Sequence, residues 1–247
     1  MPHYDINSKF YVRLEGELQG EAYSAEFPTS TMLHMHFGAN MNRHFYHWVE
    51  DSMKHGTTAR GSMVCTDLHG NVTAWDDWHG GRVHEIQFPA CDRDSPSTST
   101  VALTLHLESV EQKAESVGSS YDGFRSGREA LLIREFSVAI EGLPDTRYAR
   151  KIEHMTFGAA GTGNTSSPDL TLSLREAHAA GFREWMKTRM THQKGSVRYL
   201  TSDMESLHFD VCFHGLSLES IFPPVPLTPE AMVTVKLRST GFDFNVD

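Results

Sequence analysis

The segment FYVRLEG at residues 10–16 returns as FSVAIEG at residues 136–142, and this recurrence organises the chain. Both segments alternate apolar and polar residues, a pattern that predicts a strand with one buried face. A match this short carries little weight alone, but further matches follow it along the chain.

Seven short segments of the first half recur in the same order in the second half. They are FYVRLEG (10–16) with FSVAIEG (136–142), HMHFG (34–38) with HMTFG (154–158), FYHWVEDSM (45–53) with FREWMKTRM (182–190), GSMVC (61–65) with GSVRY (195–199), WHG (78–80) with FHG (213–215), IQFP (86–89) with SIFP (220–223), and LTLHLES (103–109) with VTVKLRS (233–239). The starting positions differ by 126, 120, 137, 134, 135, 134 and 130 residues, which loop-sized insertions would produce. We infer a duplication of one unit of roughly 110–120 residues.

The boundary between the two units is visible in the composition. Residues 111–130 are polar, contain three glycines and four serines, and show little periodicity, which is typical of a connector. We therefore predict a first domain at 1–112, a linker at 113–130 and a second domain at 131–247. The glycine-rich stretch at 158–169 is predicted to be a loop inside the second domain.

The apolar pattern of each unit predicts a mainly β fold with one helix. Residues of the type Phe, Trp and Met recur at i, i+3 and i+8 in 45–53 and in 182–190, which indicates a helical stripe. The segments before and after these stripes alternate with the period of two that strands show. Each unit is therefore expected to be a small barrel or sandwich covered by its flanking α-helix.

Composition excludes several classes of protein. The formal net charge of −10 disfavours a clamp that grips nucleic acid through phosphate contacts. No apolar run approaches the ~20 residues that cross a bilayer. The three cysteines are an odd number without a C-x-x-C pair, which disfavours a disulfide framework or a zinc knuckle. The polar start MPHYDINSKF lacks a secretory core, so we expect synthesis in the cytoplasm.

One segment has the spacing of a metal site. On a helix, His44, His47, Asp51 and His55 fall on one face, and both residue types are zinc ligands. The second copy of the segment replaces these ligands: Gly181, Glu184 and Thr188 stand where the first three stand, while the apolar stripe remains. We therefore predict a solvated or interface face rather than a metal site.

Other candidate motifs also fail to assemble into an active site. Asp76 and Asp77 lie between two tryptophans, as carboxylates of a sugar site could, but neighbours on a strand point to opposite faces. The glycine-rich loop lacks the Lys-Ser/Thr of a phosphate-binding loop. No acid, base and oxyanion site can be identified together. We predict no enzyme, no catalytic or metal-binding residue and no cofactor.

The repeated unit resembles the tail-tube protein superfamily, which includes phage tail tubes, the tubes of contractile injection systems and the haemolysin-coregulated protein of type VI secretion. The resemblance rests on the FYVRLEG-type strand, the HMTFG strand, the FREWMKTRM helix and the hairpins ending in ESIFPPVPLTPEAMVTVKLRS. It covers nearly the whole chain twice. The first copy departs from it by an insertion around TDLHGNVTAWDDWHGG and by the polar loop CDRDSPSTST.

The resemblance implies two tandem tail-tube-like barrels in one chain. Six such barrels form a ring in that superfamily, so three copies of this chain would form a trimeric pseudo-hexameric ring. Rings would stack, with open edge strands paired by neighbours. Sheath, baseplate or tape-measure proteins would be partners, and DNA or protein cargo would pass the lumen without specific binding. The assembled location would be a virion tail or injection particle, with no membrane partner.

Two other interpretations remain open from the sequence alone. The first is a metal-dependent or carbohydrate-active β-rich enzyme that uses the His44, His47, Asp51 and His55 face. The second is a binding module with duplicated barrels that does not self-assemble. Nothing in the sequence separates a tube subunit from a hub, or a DNA channel from a protein channel.

Overall fold

The computed structural model describes residues 8–121, 131–158, 169–188, 193–204, 206–223, 225 and 228–245. The strands and helices are, in chain order, β1 (Lys9–Leu14), β2 (Glu17–Thr29), β3 (Met32–Phe37), α1 (Arg43–His55), β4 (Ala59–Thr66), β5 (Val72–Phe88), β6 (Cys91–Asp92), β7 (Thr98–Ser99), β8 (Val101–His106), β9 (Ser109–Gln112), β10 (Leu131–Leu132), β11 (Phe136–Ile140), β12 (Lys151–Ile152), β13 (Met155–Gly158), β14 (Asp169–Arg175), α2 (Ala180–Thr188), β15 (Gln193–Leu200), β16 (Leu207–Phe222), β17 (Met232–Arg238) and β18 (Gly241–Asn245). The predicted mainly β class is confirmed. Neither helix of the described chain is long and apolar enough to cross a membrane.

Contacts divide the chain into two units, which are described separately. Of the described residues, 8–87, 100–121 and 158 belong to the first unit. Residues 88–99, 131–157 and 169–245 belong to the second unit. Segment 88–99, which falls in the predicted first domain, is thus part of the second unit, because β6 pairs with β12 and β7 pairs with β10.

In the first unit, six antiparallel strands form a closed ring of pairings in the order β5-β4-β1-β2-β3-β8, and β8 returns to β5. The long strand β5 makes closure possible. β4 pairs with the first part of β5 on one side, while β8 and β9 together pair with its length on the other. Among the described residues, the pairing of β8 with β5 therefore joins the two ends of this six-stranded order.

Helix α1 packs its apolar stripe onto side chains of this ring. Phe45 and Trp48 are buried, and their rings lie 5.2 Å from Phe37 and 6.1 Å from Trp78 between centroids. Asn42 caps the start of the helix by accepting a hydrogen bond from the Phe45 amide, at 3.0 Å. Gly56, with φ of 70°, ends it in the left-handed conformation that glycine adopts at little cost.

In the second unit, the pairings run in a matching order. β11 pairs with β15 as β1 pairs with β4, and β15 pairs with β16 as β4 pairs with β5. β16 pairs with both β17 and β18, as β5 pairs with both β8 and β9. β14 pairs with β17 as β3 pairs with β8. The register also matches at one end, because Phe10 stands opposite Cys65 and Phe136 stands opposite Tyr199.

The second unit differs where the first has its long strand β2. A 3-10 helix at Pro144–Tyr148 interrupts this region, and only the short β12 pairs with β14. Proline has no amide proton for a strand ladder, which favours this interruption. In the described residues, no strand pairs with both β11 and β12, so this sheet stays partly open.

One of the seven sequence matches is wrong as a structural equivalence. HMHFG lies in β3, but HMTFG lies in β13, and the strand that precedes α2 in the ladder position of β3 is β14. The helix match holds for the described residues. Phe182 and Trp185 are buried on α2 as Phe45 and Trp48 are on α1, while Met190 lies outside the described residues.

Part of the predicted connector is packed on the first unit. The Val72 N–H donates to the Ser119 carbonyl, and the Gly118 N–H donates to the Val72 carbonyl. The Tyr121 ring lies 5.0 Å from that of Tyr11 between centroids. Residues 122–130 lie outside the described residues, as do all but the two ends of the predicted loop 158–169.

Candidate functional site

The histidine face of α1 lies where the sequence predicts it. His44, His47, Asp51 and His55 are all exposed, while the buried side chains of the helix occupy the opposite stripe. Arg43 Nε donates to His47 Nε2 at 3.0 Å. A guanidinium on this nitrogen disfavours a cation there, because a metal needs the same lone pair. Among the described residues, no group of three or more His, Cys, Asp and Glu is placed to hold a metal ion.

The two carboxylates of WDDWHGG point to opposite sides of β5. Asp76 is buried and Asp77 is half-buried on the other face. Burial acts to raise the pKa of Asp77, but hydrogen bonds from Lys113, Ser62 and Trp75 outweigh it and hold the pKa below its ordinary value. Asp77 is thus a structural acceptor, and the pair does not face one substrate.

A Cys, a His and an Asp residue line a groove on the second unit that sequence reasoning did not identify. The groove has a volume of about 490 Å³ and is lined in part by Asp210, Cys212 and His214, which are alternate residues of β16. Asp243 on β18 hydrogen-bonds His214 Nε2 with its Oδ2 atom. Asn245 Nδ2 donates to Cys212 Sγ at 3.1 Å.

These groups do not form an activated nucleophile. Burial raises the pKa of Cys212 to about 11, and the negative charges of Asp210 and Asp243 act in the same direction. Burial also raises the pKa of Asp210. A reactive cysteine needs a lowered pKa, because the thiolate is the nucleophile. The groove therefore contains the residue types of a catalytic triad, but its surroundings raise the pKa of the thiol, whereas a catalytic triad lowers it.

A cluster of positively charged side chains lies elsewhere in the second unit. A cavity of about 280 Å³, called here the arginine pocket, is lined by Arg93, Arg147, Tyr148, Arg150, Arg175 and His178. Three different stretches supply these residues, at 93, 147–150 and 175–178, and adjacent strands bring them together. β6, β12 and β14 are hydrogen-bonded neighbours, and the pocket residues stand at or just beyond their ends.

Arg93 is fixed to the backbone around the pocket. Its Nε donates to the Ala149 carbonyl at 2.8 Å, and its Nη2 donates to the carbonyls of Phe136 at 3.0 Å and Arg147 at 3.4 Å. Its guanidinium also lies 4.8 Å from the Phe136 ring centroid. These contacts fix the orientation of the Arg93 guanidinium, and among the described residues no carboxylate forms an ion pair with it.

Arg147 is held differently. Its guanidinium lies 4.8 Å from the ring centroid of Tyr148, and that ring stacks on His178 with 4.1 Å between centroids. Cation–π and stacking contacts of this kind order a side chain without neutralising it. Within the described part of the chain, no carboxylate lies within ion-pair distance of Arg147.

The pocket keeps an excess of positive charge. Asp94 pairs with Arg150, and Glu230 pairs with Arg175 at 2.6 Å. Arg93 and Arg147 remain without such a partner among the described residues. Burial lowers the pKa of Arg93 and the charge of Arg150 lowers it further, which reports repulsion between the cations.

The sequence contained only a weak signal for this pocket. The run TRYARK at 146–151 places three cations close together in a chain with a net charge of −10. Arg93 and Arg175 lie in stretches that share no motif with it. Their approach depends on the pairing of β6 with β12 and of β12 with β14, which the sequence did not predict.

An exposed apolar surface lies at the end of the β16–β17 hairpin. Phe222 is 72% exposed, Val225 62% and Met232 43%. Arg183 on α2 supports this end of the hairpin, since its Nη2 donates to the carbonyls of Val225 at 3.2 Å and Pro223 at 3.4 Å. Glu176 holds Arg183 in turn, through contacts of 2.7 and 2.6 Å.

No protein-family model matches the chain, and no curated protein does.

Proposed function

We propose that this chain is a structural subunit of a phage tail or a phage-like injection machine. Three copies would form a pseudo-hexameric ring of the tail tube or its hub, through which DNA or protein cargo passes. The function requires no catalytic residue, cofactor or membrane contact.

The observation that carries the proposal is the matching order of strand pairings in the two units. Each chain holds two barrel-like sheets, and each sheet has a helix with a buried Phe and Trp three residues apart. Two similar units per chain allow three-fold symmetry to approximate six-fold symmetry. This geometry is what the sequence resemblance to tail-tube proteins leads one to expect.

Contact between copies also needs a surface whose burial is favourable. The exposed side chains at the end of the hairpin provide one, because covering large apolar side chains removes them from water and lowers the free energy. They are Phe222, Val225 and Met232. The formal net charge of −10 suits a channel that lets a polyanion slide, since like charges do not adhere.

Electron microscopy and mass measurement test the proposal directly. The purified chain at high concentration should give particles of three copies, or stacks of them, with a central hole in negative stain. A mass that stays at one copy across the whole concentration range, together with featureless particles, would overturn the proposal.

A further inference from the structure

We propose that the arginine pocket of the second unit is a binding site for a phosphate group. The inference rests on the lining residues of one unit in one chain. It does not depend on ring formation.

The donor set favours a tetrahedral oxyanion. Arginine presents several N–H groups in a planar fork, which matches phosphate and carboxylate oxygens. A carboxylate is planar and is satisfied by one such fork. Four arginines from three stretches surround one cavity here, so their donors approach from several directions. A phosphate group, with oxygens in a tetrahedron, can accept from more than one of them.

The charge balance points to the same ligand. Asp94 and Glu230 neutralise Arg150 and Arg175, while Arg93 and Arg147 keep their charges. Glu135 acts on Arg93 from a distance but forms its own ion pair with Arg134, at 2.8 Å. Two uncompensated positive charges remain, and a phosphate monoester or inorganic phosphate carries up to two negative charges near neutral pH.

The pocket is organised before a ligand arrives. Three backbone carbonyls hold the Arg93 guanidinium, and the stack of Arg147, Tyr148 and His178 holds the second cation. Side chains that are already ordered lose less conformational freedom when they bind. A purely solvated cluster of arginines would lack these constraints.

The net negative charge of the chain means that an anion can bind at this pocket only through local contacts. With 32 acidic and 22 basic residues, the protein repels polyanions in general. Binding at the arginine pocket therefore needs short-range hydrogen bonds from the guanidinium groups. The phosphate group can belong to a free phosphate or phosphomonoester, or to the backbone of a single-stranded nucleic acid. In each case the phosphate oxygens would accept hydrogen bonds from the same guanidinium groups.

Isothermal titration calorimetry at low ionic strength tests the proposal with two probes. Inorganic phosphate is titrated against a chloride reference of equal ionic strength, and a short oligothymidylate is titrated separately. We expect saturable binding of at least one probe at one site per chain. Binding of phosphate alone identifies a free phosphate or phosphomonoester, whereas binding of the oligonucleotide in competition with phosphate identifies the backbone.

Substitutions test whether the measured binding takes place in the arginine pocket. Arg147→Ala should weaken it by at least about tenfold, the effect expected for a lost charged hydrogen bond, and Arg147→Lys should weaken it less. Arg147 is exposed and anchors no backbone group with its side chain, so its variants should keep the circular dichroism of the parent chain. Arg60→Ala on β4 of the first unit removes the same charge from an exposed site and should change affinity by less than about twofold.

Two outcomes would overturn the inference. One is the absence of saturable binding for both probes. The other is an equal loss of affinity in Arg147→Ala and Arg60→Ala, because it would show attraction by net charge rather than a site. Neither outcome bears on ring formation, which is measured by mass and microscopy.

Discussion

Gly61 of β4 lies directly against the indole of Trp78 on β5. A β-carbon added to Gly61 would stand 2.1 Å from Trp78 Cζ2 and 2.4 Å from the carbonyl oxygen of Arg13. The two residues are paired in the sheet, and Trp78 is fully buried. The glycine therefore creates the space that the largest core side chain of the first unit occupies.

Gly61→Ala should destabilise the protein by about 1–3 kcal/mol, the usual cost of overpacking a core. Neither the indole nor the Arg13 backbone can move away freely, so the strain cannot relax locally. Thermal unfolding followed by circular dichroism measures the effect. Gly195→Ala in the second unit should cost less, because the atom in its way is the terminal Cδ1 of Leu216, at 2.6 Å.

Gly241→Ala serves as the control for both glycine variants. Its added β-carbon would meet only His214 atoms at 3.8 and 3.9 Å, which is ordinary contact. A melting temperature for Gly61→Ala equal to that of Gly241→Ala would contradict the packing role of Gly61.

The apolar stripe of α1, rather than its histidine face, should carry the stability of the helix. Phe45→Ala removes a fully buried ring and should cost about 3–5 kcal/mol in urea unfolding. His44→Ala changes the neighbouring exposed residue and should stay within about 0.5 kcal/mol of the parent. Equal losses for the two variants would show that the exposed face is also structural.

Metal should leave this helix unaffected. Zinc added to chelator-treated protein should not change the melting temperature, because Arg43 already donates to His47 Nε2. Elemental analysis should find no stoichiometric zinc after dialysis. A rise of several degrees that His47→Ala abolishes would instead establish a metal site on the face.

Cys212 should react slowly with iodoacetamide at neutral pH. Its pKa is raised to about 11, so the thiolate fraction and the rate should rise about tenfold per pH unit between pH 8 and 10. Asp210→Asn removes a negative charge beside the thiol and should lower this pKa, which speeds alkylation at pH 8. Mass spectrometry of the Cys212 peptide gives the rate.

The exposed residue Asp51 supplies the matched control for the alkylation series. Asp51→Asn should leave the Cys212 rate unchanged, since Asp51 is not one of the groups that shift the pKa of Cys212. Fast alkylation of the parent protein at pH 7 would contradict the raised pKa.

Assembly should depend on the apolar end of the β16–β17 hairpin. Phe222→Ser with Val225→Ser removes two exposed apolar side chains, so the chain should stay monomeric while its melting temperature changes little. Light scattering behind a sizing column measures the mass. Leu68→Ser changes a residue that is 66% exposed in the first unit and should leave assembly intact.

An unchanged mass for the double hairpin variant would remove this surface from the contact, although rings seen in the micrograph would still support a tube subunit. Dissociation by Leu68→Ser as well would show that general surface polarity, and not the hairpin, controls the mass.

Much of the secondary structure was predictable from local pattern. The alternation of apolar and polar residues located β1, β3, β11 and β14, and the spacing of Phe and Trp located both helices. This works because buried residues recur every two residues in a strand and every 3.6 residues in a helix. The repeat predicted equivalent segments but not their pairing, and the structure adds that Phe10 stands opposite Cys65 as Phe136 stands opposite Tyr199. The error at HMTFG arose because a five-residue match cannot tell two neighbouring strands apart.

The position of the arginine pocket was decided by the tertiary structure alone. Arg93 and Arg175 are far apart in sequence, and they share a pocket with Arg147 and Arg150 because β6, β12 and β14 are hydrogen-bonded neighbours. In the same way, Asp243 reaches His214 through the pairing of β18 with β16. Periodicity records which side of one element is buried, but the meeting of polar side chains depends on which strands pair and in what register. That information is distributed over long-range contacts and therefore is absent from any single stretch of the sequence.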